Sequence, residues 1–354
     1  MKKYSKASSI LKHLEFLKHK PLVIPRIISG IFRKSILRQD VLRTLDLAIT
    51  GDCHYKCAFC SAFRLYKKNG PYLTVEQIKH IWQQCVELGA IHVNLTGGEP
   101  LFRDINEVCQ IIANFNPSRF LVSLVTCGAG LTREKLIKLK NAGLDTLQLS
   151  LESVDPRVHD ALVGISGSFD KVVAGIKYAK ELGLSVCLNS VFYKGNAHEI
   201  EKLIDFSRKH KVFLVLNTAS GEGSWRKEGN KRLGDEEGKI FDNFLSFAHV
   251  RHDSSTNFSC RRECPGGKER IHITAHGDVL TCPLVQVSYG NVLEEPLREI
   301  YKKMNNIEYL RKYSRICKHA FDEEYYQEVL LPIRNEEKRP VSFFNHLLFR
   351  RSKC

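Results

Sequence analysis

Long apolar runs are missing from this chain. Although 43% of its 354 residues are hydrophobic, no stretch approaches the roughly 20 apolar residues that a membrane-spanning helix needs, so no helical crossing is expected. No secretory leader is expected either: the amino-terminal stretch carries many lysines and no uninterrupted apolar segment. The twelve cysteines are therefore read in a reducing, cytoplasmic setting, where thiols serve metals rather than disulfides. Acidic residues are scarce as well, 39 against 54 lysines and arginines, leaving a formal charge of +15. Such an excess invites an anionic partner, nucleic acid or membrane. Its placement says more. Lys2, Lys3, Lys6, Lys12, Lys18 and Arg26 crowd one end, and Lys338, Arg339, Arg350, Arg351 and Lys353 the other. These cations lack the interleaved aromatics of a base-stacking platform, so nucleic acid is not expected.

What the chain does have is thiols at short spacing. Residues Asp52 to Phe63 place Cys53, Cys57 and Cys60 in one loop directly after an apolar, strand-like run. Three thiolates so close in sequence can converge on one soft metal centre, and iron-sulfur clusters are held by local cysteine runs of this kind. A four-iron cluster with three local cysteines keeps one iron open to another ligand, which a reactive cluster needs. The competing reading of the same thiols is a structural zinc site. Zinc wants a fourth ligand, and His54 is too close to Cys53 to serve comfortably.

The Cys-x3-Cys-x2-Cys spacing, with Phe59 before the last cysteine, resembles the signature loop of the radical S-adenosylmethionine (radical SAM) superfamily. That resemblance implies a [4Fe-4S] cluster on Cys53, Cys57 and Cys60 whose open iron is chelated by S-adenosylmethionine. It further implies reductive cleavage of that ligand to a 5'-deoxyadenosyl radical, which abstracts a hydrogen atom from substrate.

From Thr44 the pattern alternates between short apolar runs and helix-period segments. Strands are expected near 44–50, 91–96, 120–126, 145–151, 185–192 and 212–217, and helices near 74–88, 104–115, 131–142, 168–182 and 197–209. Alternation of this kind argues for right-handed βαβ units and a parallel sheet. Six strands fall short of a closed eight-fold barrel, and the resemblance implies a partial (β/α)6 barrel of TIM-like type.

Parallel barrels carry their chemistry in the loops after the strands. The cysteine loop follows the first expected strand, and Thr96-Gly97-Gly98-Glu99-Pro100 follows the second. Glycines let the backbone approach a ligand, and a carboxylate suits an ammonium. The element resembles the superfamily's Gly-Gly-Glu-Pro motif, which implies that Gly97, Gly98 and Glu99 hold the amino group of S-adenosylmethionine. Cys127, in Thr126-Cys127-Gly128, stands where relatives commonly have asparagine; it faces the pocket or is an inert buried thiol. Ser150 matches a strand-end serine that contacts the same ligand. Glu152 replaces the usual aspartate, and Val163 stands where many relatives carry an arginine for the ligand carboxylate. Asn189 and Asn196 are candidate ribose or carboxylate contacts, or caps.

Past residue 218 a glycine-rich, charged stretch reads as a linker leading to a helix near 235–250. Thiols then return as Cys260-x3-Cys264, Cys282 and Cys317, the last after a helical run from about 297 to 313. Residues 271 to 280 read as a β-hairpin that delivers Cys282 back toward Cys264. This region, with Asn291, resembles the auxiliary-cluster domain of SPASM/Twitch radical SAM enzymes in a shortened, Twitch-like form. It implies one further [4Fe-4S] cluster on Cys260, Cys264, Cys282 and Cys317, and four-thiolate zinc is the competing reading. Cys85, Cys109 and Cys187 are expected in the core.

The expected division is a basic amphipathic arm (1–43), a barrel (44–218), a linker and helix (219–259), an auxiliary-cluster region (260–320) and a basic amphipathic tail (321–354). In the arm, Ile10, Leu11, Leu14 and Leu17, then Ile24, Ile27, Ile28, Ile31 and Phe32, recur at helical spacing. In the tail, Val341, Phe343, Phe344, Leu347 and Leu348 form a similar stripe. Such stripes either pack on the protein or lie in an anionic membrane surface. The enzyme expected from the resemblance acts on a peptide, or alternatively on a lipid or membrane-associated cofactor precursor, with a flavodoxin or ferredoxin as electron donor. A reading from another class is a non-enzymatic zinc-binding interaction module.

Overall fold

Residue Thr74 starts the first barrel helix by capping it twice over. Its side chain accepts from the Gln77 amide, and the Gln77 side chain accepts from the Thr74 amide, a reciprocal cap that fixes where the helix begins. The computed structural model describes residues 20–65, 70–219, 225, 233–252, 257–258, 263–311 and 317–345. In chain order these form α1 (Ile24–Ser35), β1 (Thr44–Thr50), α2 (Val75–Glu87), β2 (His92–Gly97), α3 (Ile105–Asn114), β3 (Leu121–Thr126), α4 (Arg133–Ala142), β4 (Thr146–Ser150), α5 (Pro156–Val163), α6 (Ser168–Glu181), β5 (Ser185–Phe192), α7 (Ala197–His210) and β6 (Phe213–Thr218). There follow α8 (Asp235–Phe244), β7 (Val250–Arg251), β8 (Arg270–Ile273), β9 (Val279–Leu280), β10 (Val287–Ser288), α9 (Leu297–Asn305) and β11 (Val341–Ser342), with short turns of helix at Glu308–Arg311 and Lys318–Phe321.

The main sheet runs β7-β6-β5-β4-β3-β2-β1-β8-β9. Strands β1 to β6 pair in parallel, each with its neighbour in sequence, which is the expected partial barrel. It is lengthened at both edges. β7 adds in parallel to β6, β8 adds in parallel to the free edge of β1, and β9 folds back antiparallel on β8. Alternate residues divide the work: Leu45, Leu47 and Ile49 of β1 join the core under Ile78, Ile81 and Trp82 of α2, whereas Asp46 points into the lumen. Because both faces are covered, every residue of β1 is buried.

Three elements differ from expectation. Helix α5 was not foreseen; Asp155 caps it, Pro156 opens it and Gly164, at φ 72°, ends it after eight residues. The helix expected to about residue 250 stops at Phe244, and the chain becomes β7. The run from 297 breaks at Asn306. The stripe at Ile10 to Leu17 lies outside the described residues, as do Leu347 and Leu348. Phe343 is buried and stacks on Tyr289 at 5.2 Å, so this part of the carboxyl-terminal stripe packs on the protein, where β11 pairs with β10. Helix α1 does the reverse: Ile24, Ile28, Ile31 and Phe32 are exposed, with Leu22, Ile36 and Leu37 beside them, while Gly30 is buried against Phe258. Among the described residues no helix is long and apolar enough to cross a membrane.

Candidate active site

The cysteine loop is held from below by the short helix α5. Lys56 and Ala58 donate their amides to the carbonyls of Val163 and Leu162 at 3.1 and 3.0 Å. Gly164 lies so near that a side chain there would touch Lys56 Cβ at 3.0 Å. Val163 therefore supports the loop through its carbonyl at the position where an arginine was the alternative. Cys53, Cys57 and Cys60 all line one cavity of about 530 Å3. Burial first, and then the neighbouring Cys60, push Cys57 above the ordinary thiol range, and burial also raises Cys53 and Cys60. His54 turns aside to Phe102, ring centres 4.6 Å apart.

The turn after β2 fits against the end of β1 so closely that only glycine is possible. A Cβ on Gly97 would sit 2.2 Å from the Thr50 carbonyl oxygen and one on Gly98 2.3 Å from that of Asp52. Gly97 also adopts φ 138°, a conformation open to glycine. The amides of Gly98 and Glu99 donate to those same two carbonyls at 2.9 and 2.7 Å. Glu99 is buried: its Oε1 accepts from Thr126 Oγ1 at 2.7 Å and the Leu101 amide at 3.0 Å, and its Oε2 from the amide and thiol of Cys127, each at 2.8 Å. Burial raises its pKa and these four donors pull it back.

Cys264, Cys282 and Cys317 line the same cavity and influence one another electrostatically. Cys260 lies outside the described residues. The β8–β9 hairpin carries Cys282 into place, and Asn291 locks its turn by donating to His276 O at 3.0 Å while accepting from the Leu293 amide at 2.9 Å. Cys317 meets Thr218 Oγ1 at 3.5 Å and His319 Nδ1 at 3.1 Å.

The model of the radical SAM superfamily matches residues 47–207, and that of the SPASM iron-sulfur cluster-binding domain matches 264–320. A radical SAM domain and a SPASM domain are both present in the chain. Relatives include the PqqA peptide cyclase of Rhizobium meliloti, 26% identical over 277 residues that cover 73% of this chain and 72% of that one. The AdoMet-dependent heme synthase of Methanosarcina barkeri is 24% identical over 316 residues, 78% of this chain and 88% of the relative. Among solved structures, Streptococcus suis SuiB bound to S-adenosylmethionine superposes with a TM-score of 0.61 at 17% identity, covering 74% of this chain and 66% of SuiB. The SuiB complex with its precursor peptide SuiA also gives 0.61, over 78% and 68%.

A radical SAM enzyme needs an iron-sulfur cluster and S-adenosylmethionine, and the residues present fit both. The amino-terminal loop brings its three thiols to one cavity. Ser150, Asn189 and Cys127 line the cavity too. Asn196 does not; its side chain closes a turn, accepting from the Tyr193 amide and donating to Val191 O, each at 2.9 Å. Glu152 is buried outside the cavity, accepting from the Val191 amide at 2.8 Å. Of the core cysteines, Cys85 is buried and Cys109 half-buried.

Sequence reading missed the polar interior of the barrel. Asp46, Asn94, Gln148, Arg270 and His272 line the cavity, and His272 is fully buried with both ring nitrogens unpartnered. Burial, helped by Arg270, pushes its pKa down to about 3. A signal was available: Asp46, Asn94 and Gln148 each interrupt the middle of an apolar strand.

Proposed function

We propose that this radical SAM enzyme modifies a peptide: the cluster on Cys53, Cys57 and Cys60 and the S-adenosylmethionine at Gly97, Gly98 and Glu99 supply a 5'-deoxyadenosyl radical that takes a hydrogen atom from it. The observation that carries this reading is the single cavity onto which both sets of cysteines open. Cys260, Cys264, Cys282 and Cys317 would hold a second [4Fe-4S] cluster, and a substrate in the cavity would meet walls that carry Cys53, Cys57 and Cys60 as well as Cys264, Cys282 and Cys317. Four thiolates would close that cluster and suit it to relaying an electron. The chain's own residues hold and orient: the glycine turn brings backbone to the ligand, Glu99 presents a carboxylate to its amino group, and Ser150 and Asn189 flank the remainder. A peptide substrate is supported by the peptide cyclase among the relatives and by SuiB, solved with a precursor peptide. A reduced flavodoxin or ferredoxin would donate the electron.

The test is metal analysis and turnover on anaerobically reconstituted protein. About eight irons per chain are expected from two four-iron clusters, together with 5'-deoxyadenosine formed under reduction. Zinc in place of iron, with no 5'-deoxyadenosine, would leave only the interaction-module reading.

A second reading, the same chemistry on a lipid or membrane-associated precursor, draws on one observation: the apolar face that α1 turns to solvent. An amphipathic helix of this kind beds its apolar face in a bilayer surface, and flanking cations favour anionic headgroups. Flotation with anionic liposomes decides it. Binding that is lost when residues 1–40 are deleted supports a surface-bound enzyme, and no binding by the full chain removes that reading.

A further inference from the structure

Five side chains from five strands form one hydrogen-bonded row across the barrel lumen. Arg270 on β8 donates through Nε and Nη2 to both oxygens of Asp46 on β1. Asn94 on β2 donates from Nδ2 to Asp46 Oδ1 at 2.8 Å. Gln148 on β4 then donates from Nε2 to Asn94 Oδ1 at 3.1 Å, and Asn189 on β5 from Nδ2 to Gln148 Oε1, also at 3.1 Å.

The row has a direction, and chemistry fixes it. An ionised carboxylate can only accept, and both oxygens of Asp46 already accept from the Arg270 guanidinium. Asn94 must therefore turn its NH2 toward Asp46 and its oxygen away. Gln148 meets that oxygen with its own NH2, and Asn189 meets the next oxygen likewise. No member can flip alone without setting acceptor against acceptor or donor against donor. At the far end Asn189 Oδ1 is left buried on the cavity wall with no partner. A buried acceptor without a donor is costly, and such groups are normally satisfied.

We propose that Asp46, clamped by Arg270, sets the sense of the Asn189 amide through Asn94 and Gln148, so that the chamber offers an acceptor to a ribose hydroxyl of S-adenosylmethionine and rejects a carboxylate there. Asn189 is the contact; the other four are positioning residues. A carboxylate at that point would face a lone pair with a lone pair. The inference rests on the reading of the cavity as the S-adenosylmethionine chamber, and it narrows the role of Asn189 from ribose or carboxylate to ribose alone.

The test is equilibrium dialysis of the anaerobically reconstituted full chain against S-adenosylmethionine and its 2'-deoxy and 3'-deoxy ribose analogues. The parent is expected to bind one deoxy analogue about tenfold more weakly than S-adenosylmethionine, the size of a lost hydrogen bond that leaves its partner buried. Asn189→Ala should erase that ratio. Gln148→Met, which keeps bulk but breaks the row, should let Asn189 turn and shrink the ratio while S-adenosylmethionine still binds. Because the readout is a ratio of affinities, a lower fraction of folded variant does not move it. Equal binding of all three ligands by the parent overturns the ribose contact, and an unchanged ratio in Gln148→Met overturns the row. A parent that binds none of the three sinks the functional reading itself, a separate result.

Discussion

The thiol of Cys127 donates to Glu99 Oε2 at 2.8 Å, and it is the one sulfur among the four donors around that carboxylate, a donor type weaker in general than a hydroxyl or an amide. Each carboxylate oxygen has two lone-pair directions, and Thr126 Oγ1 and the amides of Leu101 and Cys127 take the other three. On the proposed role of Glu99, an incoming ammonium would displace the thiol. Cys127→Ser, which puts a stronger donor there, is expected to weaken S-adenosylmethionine binding about threefold to tenfold, and Cys127→Ala to leave it equal or tighter. Equilibrium dialysis distinguishes them, and tighter binding by the serine variant would contradict the displacement.

The two cysteine sets are expected to fail differently. Cys57→Ala should abolish 5'-deoxyadenosine formation and reduce bound iron by about four per chain. Cys282→Ala should spare uncoupled cleavage while impairing product formation. Chromatography of both products under reduction reads the difference; identical behaviour would refute the assignment of separate roles.

Gly98→Ala drives a methyl group into the Asp52 carbonyl, backbone against backbone. Neither side can swing away. The expected cost is about 1 to 3 kcal/mol from overpacking, read as a lower urea midpoint, along with loss of S-adenosylmethionine binding. Gly183→Ala is the control for the binding loss: no atom lies within 4 Å of the added Cβ, the position is remote from the cavity lining, and only backbone strain at φ 69° remains.

His272 contributes to the pH dependence alongside His92 and His159, whose pKa values burial lowers likewise. With its pKa pushed from 6.5 to about 3 in the fold, it stays neutral there while the unfolded chain takes up a proton. Its contribution to stability is therefore whole above the unfolded value and is lost as pH falls from there toward the folded one. His272→Phe should remove that slope, so that relative to the parent it gains on the order of 2 kcal/mol between about pH 7 and about pH 5. Urea midpoints of both proteins at the two pH values measure it, and a parallel decline would exclude His272 as a cause.

On α1, Ile28→Glu with Phe32→Glu alters residues that are 61% and 51% exposed. The expected change in stability is within about 0.5 kcal/mol per site, while flotation with anionic liposomes is lost. Undiminished flotation would place the lipid contact elsewhere.

The six parallel strands were legible because each is a short apolar run between helix-period segments, and the glycine turn and cysteine loop were legible as motifs. What escaped was anything set by tertiary contact. Helix α5 has only eight residues, too few to establish a period, yet its last carbonyls hold the cysteine loop. Asp46, Asn94 and Gln148 look in sequence like the wetted face of a half-exposed strand; only closure of the sheet toward a barrel turns that face into a lumen and makes neighbours of residues far apart in the chain. The apolar stripe of α1 was visible, but whether it faced the core or solvent was not, since periodicity reports that a face exists and not which way it points.

Strand β8, which leads from the second cysteine set, lies along the outer edge of β1, pairing Thr44 with Arg270 and Leu47 with Ile273. The catalytic and auxiliary halves are thus sewn along one backbone seam and are not interchangeable cassettes. Cutting the chain after β6 would strip that seam and bare a row of amides and carbonyls next to the cysteine loop, a surface prone to self-association. A minimal barrel made by such a cut should aggregate rather than survive as a simpler catalyst.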